Sequence, residues 1–291
     1  VHNYGHGGAG ITLSWGTSRL AVDLGLPARS GRVAVLGAGI MGLTTARLAQ
    51  EAGRDVIIYT AALPPDTTSN IAGGQWSPLG AFRDSEVTPE WRAQFAAALE
   101  YSWRRFQIMT GDDYGIRWLP TYAERGGDNP GPLDRYRVGL KQLPREEHPF
   151  PVDGIVRFDT MYAETGRLLR QLMRDFQIAG GRFVVRHFAA PADIASLAEL
   201  LVFNCTGLGS RALFGDGKLI PVRGQLAILA PQPEIRYAYT LDAGYMFPRA
   251  DGIVLGGTFE RNIWSTQTEP VAIARILESH RGVADAFRCT A

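Results

Sequence analysis

Three glycines, Gly37, Gly39 and Gly42, stand in the pattern G-x-G-x-x-G between two runs of different character. Before them, Val33–Leu36 is a short apolar run that reads as a buried parallel strand. After them come good helix formers, Leu48, Ala49, Gln50 and Glu51, closed by Gly53. In such a unit one glycine permits the tight turn, the next lets backbone approach a pyrophosphate, and the third lets helix pack closely on strand. The helix N-terminus then offers N–H groups and a positive dipole end to the phosphates. A glycine-rich turn in another α/β protein can carry the same letters. Strand, glycines and helix in this order read as a dinucleotide site. An acidic residue often holds the adenosine ribose at the end of the second strand; Tyr59 and Thr60 stand there instead.

The elements around this unit follow from periodicity and punctuation. The opening stretch 1–12 is a glycine-rich loop, and 11–24 reads as a helix despite Gly16, stopped by Gly25 and Pro27. Residues 55–59 form the second strand. Trp91, Phe95, Leu99, Trp103 and Phe106 recur at three-to-four spacing, which predicts a long helix over 88–110 with an aromatic core stripe. Residues 126–132 read as a surface loop, 165–179 as a helix, 182–188 as a strand, and 200–204 as a buried strand. The last third alternates short strands and turns (LAIL, YTLD, GYMFP, GIVLGG), the mark of a mainly antiparallel sheet. The chain therefore reads as α/β, with two interleaved domains: 1–80 and 158–215 binding the dinucleotide, 81–157 and 216–291 carrying the β-sheet.

Bulk properties narrow the class. The 291 residues are 45% hydrophobic and 20% charged, with 30 basic and 29 acidic side chains and a net charge of +1. That balance suits a globular enzyme and gives no nucleic-acid or membrane-surface footprint. Two distant cysteines, Cys205 and Cys289, make neither a disulfide framework nor a metal cluster, and the five histidines have no metal-ligand spacing. No apolar run is long enough to span a bilayer.

Several segments together resemble the D-amino acid oxidase family of flavoenzymes, which also includes D-aspartate oxidases. They are VAVLGAGIMGLTTA (33–46), TTSNIAGGQWSP (67–78), FNCTGLGSRAL (203–213), PVRGQ (221–225), GYMFP (244–248), GGTFERNIWS (256–265) and HNYGHGGAGITLSWG (2–16). Nothing generic about α/β folds demands the HNYGHGG stretch. The resemblance spans nearly the whole chain and implies a Rossmann-like domain with non-covalent FAD. On it, Gly37, Gly39, Ile40, Met41 and Gly42 would hold the pyrophosphate, and Thr67, Thr68 and Ser69 would run along the cofactor. Gly74, Gln75 and Trp76 would lie beside the isoalloxazine, and Cys205, Thr206 and Gly207 would pass the cofactor in a turn. Gly7, Gly8, Gly10, Ile11 and Thr12 would aim a helix N-terminus at the flavin N1/C2=O edge, where negative charge grows on reduction.

The chemistry implied is hydride transfer from the substrate Cα–H to flavin N5, giving an imino acid that hydrolyses, with dioxygen reduced to hydrogen peroxide. Tyr245, Gln75 and Gly8 would face the substrate, Tyr245 as the hydroxyl that binds its carboxylate. An aromatic packed in a strand is the simpler reading of Tyr245 alone. His2 and His6 read as loop residues bonded to backbone, Cys205 as buried and inert, and Asp216 as a turn residue.

Two departures from the family accompany the non-acidic Tyr59-Thr60. HNYGHGG lies near the family's C-terminus but opens this chain, which implies a circular permutation joined through residues 25–31. The family's G-x-R-P-x-R stretch, whose first arginine pairs with the substrate carboxylate, is missing. By order it belongs upstream of Val1 or beyond Ala291, and the expectation is that it lies upstream, since Val1 would otherwise start in mid-strand. Arg249 and Arg261 are stand-in candidates, although a solvated strand-end charge is the simpler reading of each. The alternatives are an oxidoreductase of the same fold acting on another amine or imino acid, and a catalytically silent flavin-binding protein. The expected partners are a small D-amino acid and dioxygen, with no nucleic acid, no membrane and no metal; homo-oligomerisation is open. A cytoplasmic location is expected, with export open if a signal lies upstream of Val1.

Overall fold

The computed structural model describes residues 1–78, 82, 84–124, 131 and 133–288. Cys289 and the predicted loop 126–132, apart from Gly131, lie outside the described residues. The chain forms two compact units, Val1–Ile116 with Thr165–Ile220, and Arg117–Glu164 with Pro221–Ala291.

The first unit is built on a parallel sheet ordered β6-β2-β1-β7. Its strands are β1 (Val33–Leu36), β2 (Val56–Thr60), β6 (Arg182–Val185) and β7 (Leu201–Asn204). β1 sits between β2 and β7 with every residue buried, as its continuous apolar run requires. The opening residues extend the sheet beyond β7. Asn204 donates from its backbone to Val1 at 2.8 Å, and Asn3 donates back to Asn204 at 2.9 Å.

Four longer helices serve this unit: α1 (Gly10–Gly25), α2 (Ile40–Glu51), α3 (Pro89–Ile108) and α4 (Thr165–Ile178). Two short ones, α5 (Pro191–Ala195) and α6 (Ser210–Phe214), flank β7 in sequence. Gly16 survives mid-helix because α3 crosses there. A Cβ at Gly16 would stand 1.9 Å from the Ala98 carbonyl oxygen, and its N–H donates to Ser102 Oγ at 2.8 Å. That crossing moves the unit boundary from the expected residue 81 to 116, because α3 packs with the first unit. The predicted aromatic stripe divides. Leu99 and Phe106 are buried, whereas Trp91 and Phe95 stack on each other half-exposed, 5.0 Å apart. The expected strand 182–188 stops at Val185.

The second unit contains a seven-stranded sheet ordered β4-β5-β3-β10-β11-β12-β9. The strands are β3 (Ile116–Glu124), β4 (Val138–Leu143), β5 (Ile155–Ala163), β9 (Leu226–Leu229), β10 (Ala238–Leu241), β11 (Gly244–Arg249) and β12 (Gly252–Gly256). A two-stranded ribbon pairs β8 (Val222–Arg223) with β13 (Glu260–Arg261). The last third is antiparallel as its alternation predicts, with one parallel pair where β10 meets β3. A final helix, α7 (Pro270–Asp285), which the strand reading passed over, contributes Ile276 and Val283 to an apolar cluster with Tyr239, Leu241, Met246 and Leu255. The alternate residues Ala238, Phe247 and Val254 form a second cluster on the opposite sheet face, with Leu119 and Tyr162.

Candidate functional site

The carboxyl ends of β1 and β7 gather the first unit's candidate residues. β2 follows β1 on one side and β7 flanks it on the other, a reversal of strand order of the kind that opens a crevice for ligands in α/β sheets. Gly37 leaves β1 with φ +99°, and a Cβ there would meet the Cys205 carbonyl oxygen at 2.6 Å. The two turns, G-x-G and N-C-T-G, are therefore in backbone contact. A Cβ at Gly42 would stand 1.8 Å from the Gly37 carbonyl oxygen, so the third glycine lets α2 sit on the turn. Gly39 lies beside Ser69, whose Oγ accepts from the Ile40 N–H at 3.0 Å. This brings the 67–70 segment to the α2 N-terminus, where Thr67 also donates to Asn70 Oδ1 at 2.8 Å and Thr68 opens a 3-10 turn.

The loop before α1 reaches the same edge because residues 1–3 run parallel to β7. Gly7 and Gly8 have φ of +57° and +90°, and no atom lies within 4 Å of a Cβ built at Gly8. A Cβ on Gly10 would meet Met41 Cε at 3.8 Å, so the α1 and α2 N-termini are neighbours. Ile11 is buried, and Thr12 Oγ1 donates to the Ser77 carbonyl at 3.0 Å while accepting from the Ser77 N–H at 3.0 Å. That exchange fixes the chain after Gly74, Gln75 and Trp76. Gly74 takes φ +92°, Gln75 is half-buried, and the Trp76 indole is buried against Trp103, with ring centroids 4.7 Å apart. Of the three, Trp76 thus directs its side chain into packing.

Neither α1 nor α2 has a side-chain cap from its N-cap residue or an acidic residue in its first turn. Two helix N-termini thus converge at the strand ends without a built-in anion. Helix N-termini without an acidic first-turn residue, a glycine cradle that a Cβ would fill and the nearby Ser69 hydroxyl make a site suited to a dinucleotide with an anionic pyrophosphate.

Other candidates resolve individually. The buried Cys205 thiol is pushed up to about 12 by desolvation and lies 3.6 Å from Thr45 Oγ1, which leaves it protonated and unreactive. Thr206 donates to Asn204 Oδ1 at 2.8 Å, and Gly207 takes φ +55°. His2 contacts Asn204 Nδ2 at 3.1 Å and Phe214 edge-on, a structural role; desolvation pushes His6 down to about 4 and keeps it neutral. Asp216 is the expected turn residue and also accepts from Tyr4 Oη at 2.9 Å. The sequence reading missed a buried hydroxyl network. Asn3 Nδ2 donates to Ser18 at 3.2 Å and Thr45 at 3.1 Å, and Ser18 meets Thr44 at 2.8 Å. Small hydroxyls on two facing helices were its only sequence signal.

In the second unit Tyr245 lies on β11, half-buried, its ring stacked on Phe247 with centroids 4.5 Å apart. Desolvation raises its pKa, so the hydroxyl remains a donor. Arg261 is exposed at the end of β13, as a solvated strand-end charge should be, whereas Arg249 is not. Arg249, the last residue of β11, is buried and holds Asp251 through two bonds of 2.7 and 2.8 Å, which corrects the expectation that it is solvated. Arg261 lies over Phe259, 5.2 Å from the ring centroid. Among the described residues there is no cluster of three or more potential metal ligands and no helix long and apolar enough to cross a membrane.

A family model described as FAD dependent oxidoreductase matches residues 32–286, and the chain belongs to that family: it is an FAD-dependent oxidoreductase. Its relatives include a D-amino-acid oxidase from Streptomyces coelicolor, 32% identical over 268 residues, covering 86% of this chain and 76% of that one. Another, from Rubrobacter xylanophilus, is 30% identical over 256 residues, covering 84% and 75%. Among solved structures, glycine oxidase from Geobacillus kaustophilus shares the fold, with TM-score 0.65 and 16% identity over 90% of this chain and 81% of that one.

Proposed function

We propose that this enzyme oxidises a D-amino acid to its imino acid, which water converts to the 2-oxo acid and ammonia, while dioxygen is reduced to hydrogen peroxide. The observation that carries the substrate class is the 32% identity to a D-amino-acid oxidase across most of both chains. Bound FAD supplies the two-electron acceptance and the reaction with dioxygen that side chains lack. The protein's own residues supply placement and charge. Gly37, Gly39, Ile40, Met41 and Gly42, with Ser69 and the α2 dipole, hold the pyrophosphate. The uncapped α1 N-terminus, at Gly7, Gly8, Gly10, Ile11 and Thr12, stabilises negative charge at the far end of the cofactor. Thr67, Thr68, Gly74, Gln75, Trp76, Cys205, Thr206 and Gly207 line it through backbone and hydroxyl groups. On this reading Tyr245 donates to the substrate carboxylate, and Gln75 and Gly8 face the substrate.

The family match begins at residue 32, yet residues 1–25 fold as an integral part of the first unit. We read the chain order as a circular permutation. The geometry is compatible, since Arg54, just before β2, donates to the Leu26 and Arg29 carbonyls at 3.1 Å each, placing the connection at the edge where β1 begins.

The engagement of Arg249 with Asp251 favours a second reading, an amine substrate held without an arginine–carboxylate pair. Anaerobic mixing with D-alanine, a panel of D-amino acids and a panel of amines without an α-carboxylate tests the two. Bleaching of the flavin absorbance supports the first reading. Bleaching only by amines without an α-carboxylate replaces it with the second, and none at all points to a silent flavin protein.

A further inference from the structure

Tyr245 pairs across the sheet with Gly256, and its ring lies on that residue's backbone. A Cβ at Gly256 would fall 2.0 Å from Tyr245 Cζ and 2.4 Å from its Oη; one at Gly257 would fall 3.4 Å from the Oη. The two glycines are thus the floor under the phenol. On the opposite face, the Gly256 carbonyl meets His280 Nε2 of α7 at 3.0 Å, and His280 Nδ1 meets Tyr239 Oη at 2.6 Å. Gly244 clears the space, since a Cβ there would stand 2.9 Å from His280 Nε2.

The donor assignment has one solution. A carbonyl only accepts, so Nε2 carries the proton. Neutral Nδ1 then accepts, and the Tyr239 hydroxyl donates to it. Desolvation lowers the His280 pKa and raises that of Tyr239, which keeps both in these forms. Tyr239 and His280 are 5% and 6% exposed, so the relay is shielded from competing water. Tyr245 packs on the other apolar cluster, on the opposite face of the sheet.

We propose that His280, held by Tyr239, is a positioning residue for Tyr245: it fixes the Gly256 carbonyl and, through the sheet, the floor that sets the phenol for the substrate carboxylate. This rests on the reading of Tyr245 given above. A donor that shifts on a soft floor loses hydrogen-bond geometry in the bound state, so the effect falls on carboxylate binding more than on turnover.

The test uses the FAD-loaded full chain. Its probes are D-alanine turnover and the dissociation constant of propionate, the same carboxylate without the amine, measured by calorimetry and by the flavin absorbance shift. His280→Leu is expected to raise KM and the propionate constant about tenfold, with kcat changed by less than about twofold. His280→Gln keeps an N–H donor toward Gly256 and is expected to recover most of the affinity. In a Tyr245→Phe background, His280→Leu is expected to add no further loss. Equal losses for Leu and Gln, or an undiminished loss in the Tyr245→Phe background, overturn the proposal and leave the Tyr245 reading standing. An unchanged propionate constant in Tyr245→Phe alone overturns both. If His280→Leu does not fold, Tyr239→Phe, which releases the other end of the relay, takes its place in the cycle with the same outcomes.

Discussion

Gly42 and Tyr245 show two ways in which one residue is constrained. At Gly42 the constraint is space. Alanine would put a methyl 1.8 Å from the Gly37 oxygen, a backbone atom that yields only if the turn moves. Gly42→Ala is therefore expected to cost about 1–3 kcal/mol of stability and most of the bound FAD, read from Tm and from the ratio of flavin to protein absorbance. At Tyr245 the constraint is chemistry. Its ring stays packed on Phe247 whether or not it carries a hydroxyl. Tyr245→Phe is expected to leave Tm nearly unchanged and to raise KM for D-alanine about tenfold, the loss of one hydrogen bond to a charged group. A proportional fall in kcat with unchanged KM would instead assign the hydroxyl to the reacting centre.

Elements are held by contacts that no single stretch of sequence reveals. α1 and α3 meet at Gly16 because a glycine and the Ala98 backbone permit it. Gly16→Ala is expected to lower stability by about 1–3 kcal/mol, seen as a lower urea midpoint with little change in slope. The β8–β13 ribbon is fastened by charge. Arg223 pairs with Glu260 and Glu269, and Gln225 Nε2 donates to Glu260 at 2.8 Å. Hydrogen bonds from Thr258 and Gln225, then Arg223, hold the Glu260 pKa down to about 2, from an ordinary 4.5. A lowered carboxylate pKa gives stability that is complete above the unfolded value and is lost as pH falls through the folded one. The wild type should therefore lose stability between about pH 4.5 and pH 2, and Glu260→Gln should show a flatter loss over that window in acid titrations followed by circular dichroism.

At the scale of the whole molecule, chain order and spatial order part company. Residues 1–25 precede the family match, yet Trp15 and Val22 are each 1% exposed and residues 1–3 line β7. Their link to β1, residues 27–32, is exposed throughout. A protease site inserted there and cut is expected to leave the N-terminal fragment bound and the flavin in place, checked by size-exclusion chromatography under native conditions. Release of the fragment with loss of flavin would show that the covalent connection is needed. The sequence by itself determined the β1–α2 unit, the antiparallel last third and the family, because strand and helix periods, turn glycines and short motifs are local and need no distant partner. It divided the chain at residue 81 and left Arg249 a solvated charge. Tertiary structure decided otherwise, since α3 finds α1 through backbone contact at Gly16 and the buried Arg249 finds Asp251 in the turn that follows β11. It also joined Tyr239 to His280, 41 residues apart. Hydrophobic pattern says which residues will be buried, whereas the choice of partner for a buried polar group depends on the crossing of elements that only the folded chain brings together.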